Sequence, residues 1–155
     1  MDITAIIEKN GVSPLQIPVN VRVKTTIRHG SSKEIFELAA QGRYYSKESA
    51  FYLQYEELAE EGKTRTIVKV VDGEALILRS GAVKMRMPFL LNKRQKGSYE
   101  IAAGALETES RATRIDHTYN SLQNSGKIEL LYEMKVQGAK TGTYHLEIMF
   151  EEEKK

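Results

Sequence analysis

The sequence predicts an all-β chain folded as an antiparallel up-and-down barrel of eight to ten strands. Three observations carry that expectation. Hydrophobicity alternates with a period of two along most of the chain, hairpin-grade turns separate the alternating segments, and no segment of useful length has a helical period.

The first strand is the clearest. Val19, Val21, Val23, Thr25 and Ile27 share one face, while Asn20, Arg22, Lys24, Thr26 and Arg28 share the other. That is a β-branched strand with one wet side. Further strands are expected over 33–46, 49–57, 64–72, 75–80, 82–90, 98–104 and 106–118. Near the end, Ile128, Leu130, Tyr132, Met134 and Val136 alternate with Glu129, Leu131, Glu133 and Lys135; Tyr144, Leu146, Ile148 and Phe150 repeat the pattern.

Turn signals stand at His29-Gly30-Ser31-Ser32, Val71-Asp72-Gly73-Glu74, Asn124-Ser125-Gly126-Lys127 and Gly138-Ala139-Lys140-Thr141-Gly142. Asp72-Gly73 is the strongest, because the pair tolerates the positive φ of a two-residue hairpin turn. Links this short join antiparallel neighbours, since a parallel crossover needs about a dozen residues. So many consecutive strands close into a barrel, which removes exposed edges; a sandwich needs longer Greek-key connections.

One domain is expected: an N-terminal arm over 1–18, the barrel over 19–152 and a frayed tail over 153–155. The arm holds Asn10-Gly11, Pro14, Pro18 and an apolar patch at Ile3, Ala5, Ile6 and Ile7, which suits a turn of helix or an arm packed on the barrel.

Composition excludes several functions. With 155 residues and no cysteine there is no disulfide framework, thiolate nucleophile or zinc ribbon. With 23 basic and 21 acidic residues, the net charge of +2 gives no global drive toward nucleic acid or an anionic membrane. The start lacks the pattern of a signal peptide, and the longest apolar run, Ile101 to Leu106, is far short of the roughly 20 residues that span a bilayer. A cytoplasmic location is expected.

The segment Arg65-Thr66-Ile67-Val68-Lys69-Val70, followed by Leu78-Arg79-Ser80-Gly81-Ala82-Val83-Lys84-Met85, resembles the YwiB-like family of uncharacterised bacterial proteins, as does the final pair Tyr132–Val136 and Tyr144–Ile148. The resemblance spans roughly residues 19–152 and carries a domain-of-unknown-function label. It implies a calycin-like, lipocalin-like barrel in a bacterial cytoplasmic protein with no established activity. The chain has no tryptophan, so the Gly-x-Trp mark of secreted lipocalins is absent and extracellular transport is not implied.

No catalytic motif emerges. His29, His117 and His145 are too far apart in sequence for a preorganised metal site, and no metal or cofactor is expected. Gly62-Lys63-Thr64 matches the end of a phosphate loop, but Glu57 stands where its first glycine should be, and a strand follows. Ser80 reads as a turn serine beside Gly81 and lacks a nucleophile elbow. Eighteen Glu against three Asp read as the wet faces of strands. The chain is expected not to be an enzyme.

Charge is uneven, however. Ala75 to Tyr99 contains Arg79, Lys84, Arg86, Lys93, Arg94 and Lys96 and no acid; Glu48 to Glu61 contains five acids and no base. Such segments make either an anion site, or complementary patches for an acidic protein partner or a second copy of the chain, or ordinary solvated edges. Val83, Met85, Met87 and Phe89 form an apolar stripe on the basic hairpin.

The expected function is therefore a cytosolic barrel that binds a small, partly apolar ligand, which can be anionic. Arg79 is the candidate polar anchor, and Tyr55, Met85, Met87, Tyr132 and Met134 are the candidate lining. Leu76 and Leu78 compete with Ala75, Ile77 and Arg79 for the interior, which leaves the orientation of Arg79 open. The alternatives are a protein-interaction or oligomerisation module, and single-strand nucleic-acid binding through Arg43-Tyr44-Tyr45 and Lys84–Phe89, which the low net charge and the strand count disfavour.

Overall fold

The computed structural model describes residues 15–154. The arm residues Ile3 to Pro14 named above lie outside the described residues, whereas Ile17 and Pro18 already belong to the first strand.

Ten antiparallel strands follow one another: β1 (Ile17–His29), β2 (Ser32–Lys47), β3 (Ala50–Ala59), β4 (Gly62–Val71), β5 (Glu74–Gly81), β6 (Lys84–Leu90), β7 (Arg94–Ile101), β8 (Gly104–Asn120), β9 (Ser125–Val136) and β10 (Ala139–Glu152). Each pairs with its sequence neighbours, and β1 pairs with β10 to close the barrel. This is the expected up-and-down barrel, at the upper limit of the expected strand number.

Two departures from the sequence reading alter the inner face. The segment 98–104 contains a turn, because Ala102 and Ala103 separate β7 from β8 and Gly104 takes φ +135°. Apolar composition hid that turn. The bulge between Ala112 and Arg114 also breaks the simple alternation of β8. It resets parity, so that Ala112 and then Ile115 and Tyr119 all reach the core.

The centre is filled by side chains from facing walls. Leu53, Val68, Ala112, Ile128, Leu130 and Ile148 are 0% exposed. The turns at 30–31, 60–61, 82–83, 102–103 and 137–138 define what we call the upper end, and the chain termini and the remaining turns define the lower end. Two ladders are incomplete. β6 and β7 pair only over Lys84–Arg86, and the ladder stops before Pro88, which has no N–H to continue it. β2 and β3 pair only from Gly42 downward.

Candidate functional site

Cross-strand register builds the upper mouth. Gly42, Tyr55, Thr66, Arg79, Met85, Tyr99 and Leu106 stand in one continuous row across β2 to β8. Thr66 is 2% exposed and Tyr55 7%. Their row therefore faces inward, and Arg79 shares the side of the buried Ala75 and Ile77. The orientation that sequence left open is settled: Arg79 points into the barrel.

It is not alone there. Arg79 Nη2 donates to Glu57 Oε1, from β5 across β4 to β3, and the two side chains are 26% and 24% exposed. Glu57 stands opposite Thr64 and Arg79 opposite Thr66, both buried, and Thr108 and Ser110 are further buried polar side chains on β8. The Thr66 and Thr108 hydroxyls are enclosed and complete no hydrogen bond with the protein. The Thr66 hydroxyl does lie close enough to the Tyr55 phenol to favour its ionised form, without the geometry of a regular hydrogen bond.

Burial dominates the phenols. It pushes Tyr55 up to about 12, against the downward pull of Arg79 and Thr66. Tyr132 is raised further by burial, with Tyr144 and Tyr55 adding to the effect. Tyr132 stacks on Tyr144 at 5.2 Å and packs against Phe89 at 4.7 Å. Protonated phenols in this setting serve as hydrogen-bond donors and not as bases.

All six residues expected to form a ligand site thus belong to the inner face. Tyr55, Met87 and Tyr132 are buried, and Arg79, Met85 and Met134 are half-buried nearer the rim. Sequence reasoning missed Glu57, Thr66 and Thr108 as members. A usable signal existed for Thr64 and Thr66, which keep the phase of the core residues Val68 and Val70.

The basic residues do not gather into one patch. Arg79 is inside and ion-paired. Lys84 and Arg86 are exposed on the outer upper wall, and Lys93 and Arg94 lie at the lower end. Lys96 faces Glu107 at 3.9 Å. Linear clustering was diluted because β8 lays acids beside β7. The acidic segment is likewise neutralised in part: Glu56 bonds Arg65 and Lys63, and those contacts hold its carboxyl below the usual range.

Two other polar clusters exist. At the lower end the Tyr44 hydroxyl lies 3.0 Å from His117 Nε2, and His117 stacks on Phe51 at 3.9 Å. Burial lowers the pKa of His117 and raises that of Tyr44. On the outer wall, Glu129, His145 and Glu147 bring ligand-type atoms within 4.8 Å of one another. Their charge is already met, since His145 bonds Glu129, Arg114 lies 3.5 Å from Glu129 and Lys127 lies 4.0 Å from Glu147. Open clefts also mark the outer wall, one of about 610 Å³ beside Arg22, Lys127 and Met149 and one of about 430 Å³ beside Gln41, Gln54 and Arg65. No helix among the described residues is long and apolar enough to cross a membrane.

Comparison with known proteins places this geometry. The chain is 32% identical over 136 residues to the uncharacterized β-barrel protein YwiB of Bacillus subtilis (strain 168), covering 88% of this chain and 94% of that protein. The crystal structure of the B. subtilis ywiB protein superposes with a TM-score of 0.82 at 30% identity, covering 95% of this chain and 99% of the other. The profile of the domain of unknown function DUF1934 matches residues 21–148, and the chain belongs to that family.

Proposed function

We propose that this protein is a non-enzymatic, cytosolic binding barrel whose upper mouth receives the polar end of a small, partly apolar ligand. The observation that carries the reading is the pair of enclosed hydroxyls, Thr66 and Thr108, which complete no regular hydrogen bond with the protein, Thr66 standing directly opposite Arg79. Buried polar groups are nearly always paired, and two exceptions, one of them beside a guanidinium, suit a hydrogen-bond-accepting guest. Arg79 is bonded through Nη2 to Glu57, and its remaining N–H groups suit a carboxylate or phosphate. Met85 and Met134 at the rim offer adaptable apolar contact. The filled centre confines the guest to the mouth.

The test is a thermal-shift titration with octanoate and octanol, which share a chain and differ in the head group. Octanoate is expected to raise the wild-type midpoint more than octanol does, and Arg79→Met is expected to abolish that difference. An equal response of wild type and Arg79→Met to octanoate, or no response of wild type, refutes the reading.

A further inference from the structure

The opening between β2 and β3 leaves a strand edge. β2 is paired along its length with β1, but its ladder with β3 begins only at Gly42. Among the described residues no strand pairs with the other side of 32–41. Backbone N–H and C=O groups of alternate residues point outward there, beside Ile35 and Phe36, which are 49% and 55% exposed. Soluble proteins pair or protect such an edge.

Charge identifies the partner. Lys33, Glu34 and Glu37 make no ion pair among the described residues, and Lys33 stands directly opposite Arg28, a charge of the same sign. Like charges opposed across strands are destabilising unless an acid joins them. In a two-fold antiparallel pairing of this edge with itself, opposed residues must share a face, so the axis passes through one residue. Centring on Glu34 or on Glu37 sets that acid against itself, and centring on Leu38 leaves Lys33 without a counterpart, because Arg43 is already paired with β3. Centring on Phe36 opposes Lys33 to Ala39 and Ile35 to Glu37, which makes no charge pair. Centring on Ile35 opposes Lys33 to Glu37 of the second copy twice, with Ile35 against Ile35 between them on the same face and Glu34 against Phe36 on the other.

We propose that the 32–41 edge of β2 pairs antiparallel with the same edge of a second copy of this chain, in the register centred on Ile35. The pairing extends the sheet across two barrels and supplies an acid to each Arg28–Lys33 pair.

The test is sedimentation equilibrium of the full chain over a concentration series up to the order of 100 µM, where a weak dimer populates. The wild-type mass is expected to rise from 17.6 kDa toward twice that value. Lys33→Glu and Glu37→Lys are each expected to remain monomeric alone, because each opposes like charges. Mixed together they restore both charge pairs, and a heterodimer is expected. Ile35→Lys, a change at an exposed position, is expected to be monomeric with an unchanged thermal midpoint, and it covers the case in which Glu37→Lys, which faces Lys24 on β1, fails to fold. A wild type that stays monomeric throughout, single variants that dimerise as wild type does, or a mixture that does not associate each overturn the proposal.

Discussion

Arg79 and Glu57 meet inside the barrel across an intervening strand, two charges of opposite sign on the inner faces of β5 and β3. Each keeps about a quarter of its side chain exposed, so the desolvation penalty is smaller than for a deeply buried pair. The contact ties together strands that share no ladder and sets the polarity of the mouth.

Removing one partner leaves the other charge partly enclosed and unpaired. Arg79→Met is expected to cost about 1–3 kcal/mol, and Glu57→Gln a similar amount. The double variant is expected to be less destabilised than the sum, which chemical denaturation of the four proteins measures. Additivity contradicts the coupling.

His117 gives a pH dependence with a defined sign. Burial depresses its folded-state pKa below the ordinary value of 6.5. The neutral ring is therefore favoured by folding, and its stabilisation is complete above pH 6.5 and declines as pH falls toward the depressed folded value. The wild-type thermal midpoint is expected to fall between about pH 7 and pH 5, with a shallower slope for His117→Gln. Equal slopes contradict the assignment.

Gly42 stands at the fork where β2 leaves β3. A Cβ there would lie 2.2 Å from the Gln54 carbonyl oxygen and 3.1 Å from Tyr55 Cβ. The obstacle is backbone, which cannot swing aside, so Gly42→Ala is expected to cost about 1–3 kcal/mol. Urea denaturation that shows no loss would contradict the close approach.

The β2–β3 turn is made by Glu48 and Ser49, both with positive φ, 49° and 70°. Asn-Gly adopts that conformation at lower cost. Replacing the pair by Asn-Gly is expected to raise stability by about 1 kcal/mol, read as a higher denaturation midpoint. An unchanged or lower midpoint counts against strain in this turn.

That turn also shows what the sequence conveyed and what it did not. Alternation revealed most strands, because an inward face must be apolar and an outward face polar, as at Val19, Val21 and Val23. Gly73, with φ +73°, confirmed the Asp72-Gly73 hairpin. Glu48-Ser49 carries no such signature, since neither residue prefers positive φ. The inner-face residues of the mouth were legible where alternation held, and Arg79 was ambiguous because both faces of β5 are apolar. Its partner Glu57 was hidden among five acids, because pairing across β4 depends on register and barrel closure. The free edge of β2 was illegible for the same reason: turns announce which strands are neighbours, not where their ladder ends.

The proposed role of the mouth as a ligand site is tested most directly by native mass spectrometry of the wild type and of Thr66→Val/Thr108→Val, each with octanoate. The expected result is a one-to-one adduct above the bare 17.6 kDa chain for the wild type, and its loss in the double variant. A bare wild-type chain, or equal occupancy of the two proteins, contradicts it.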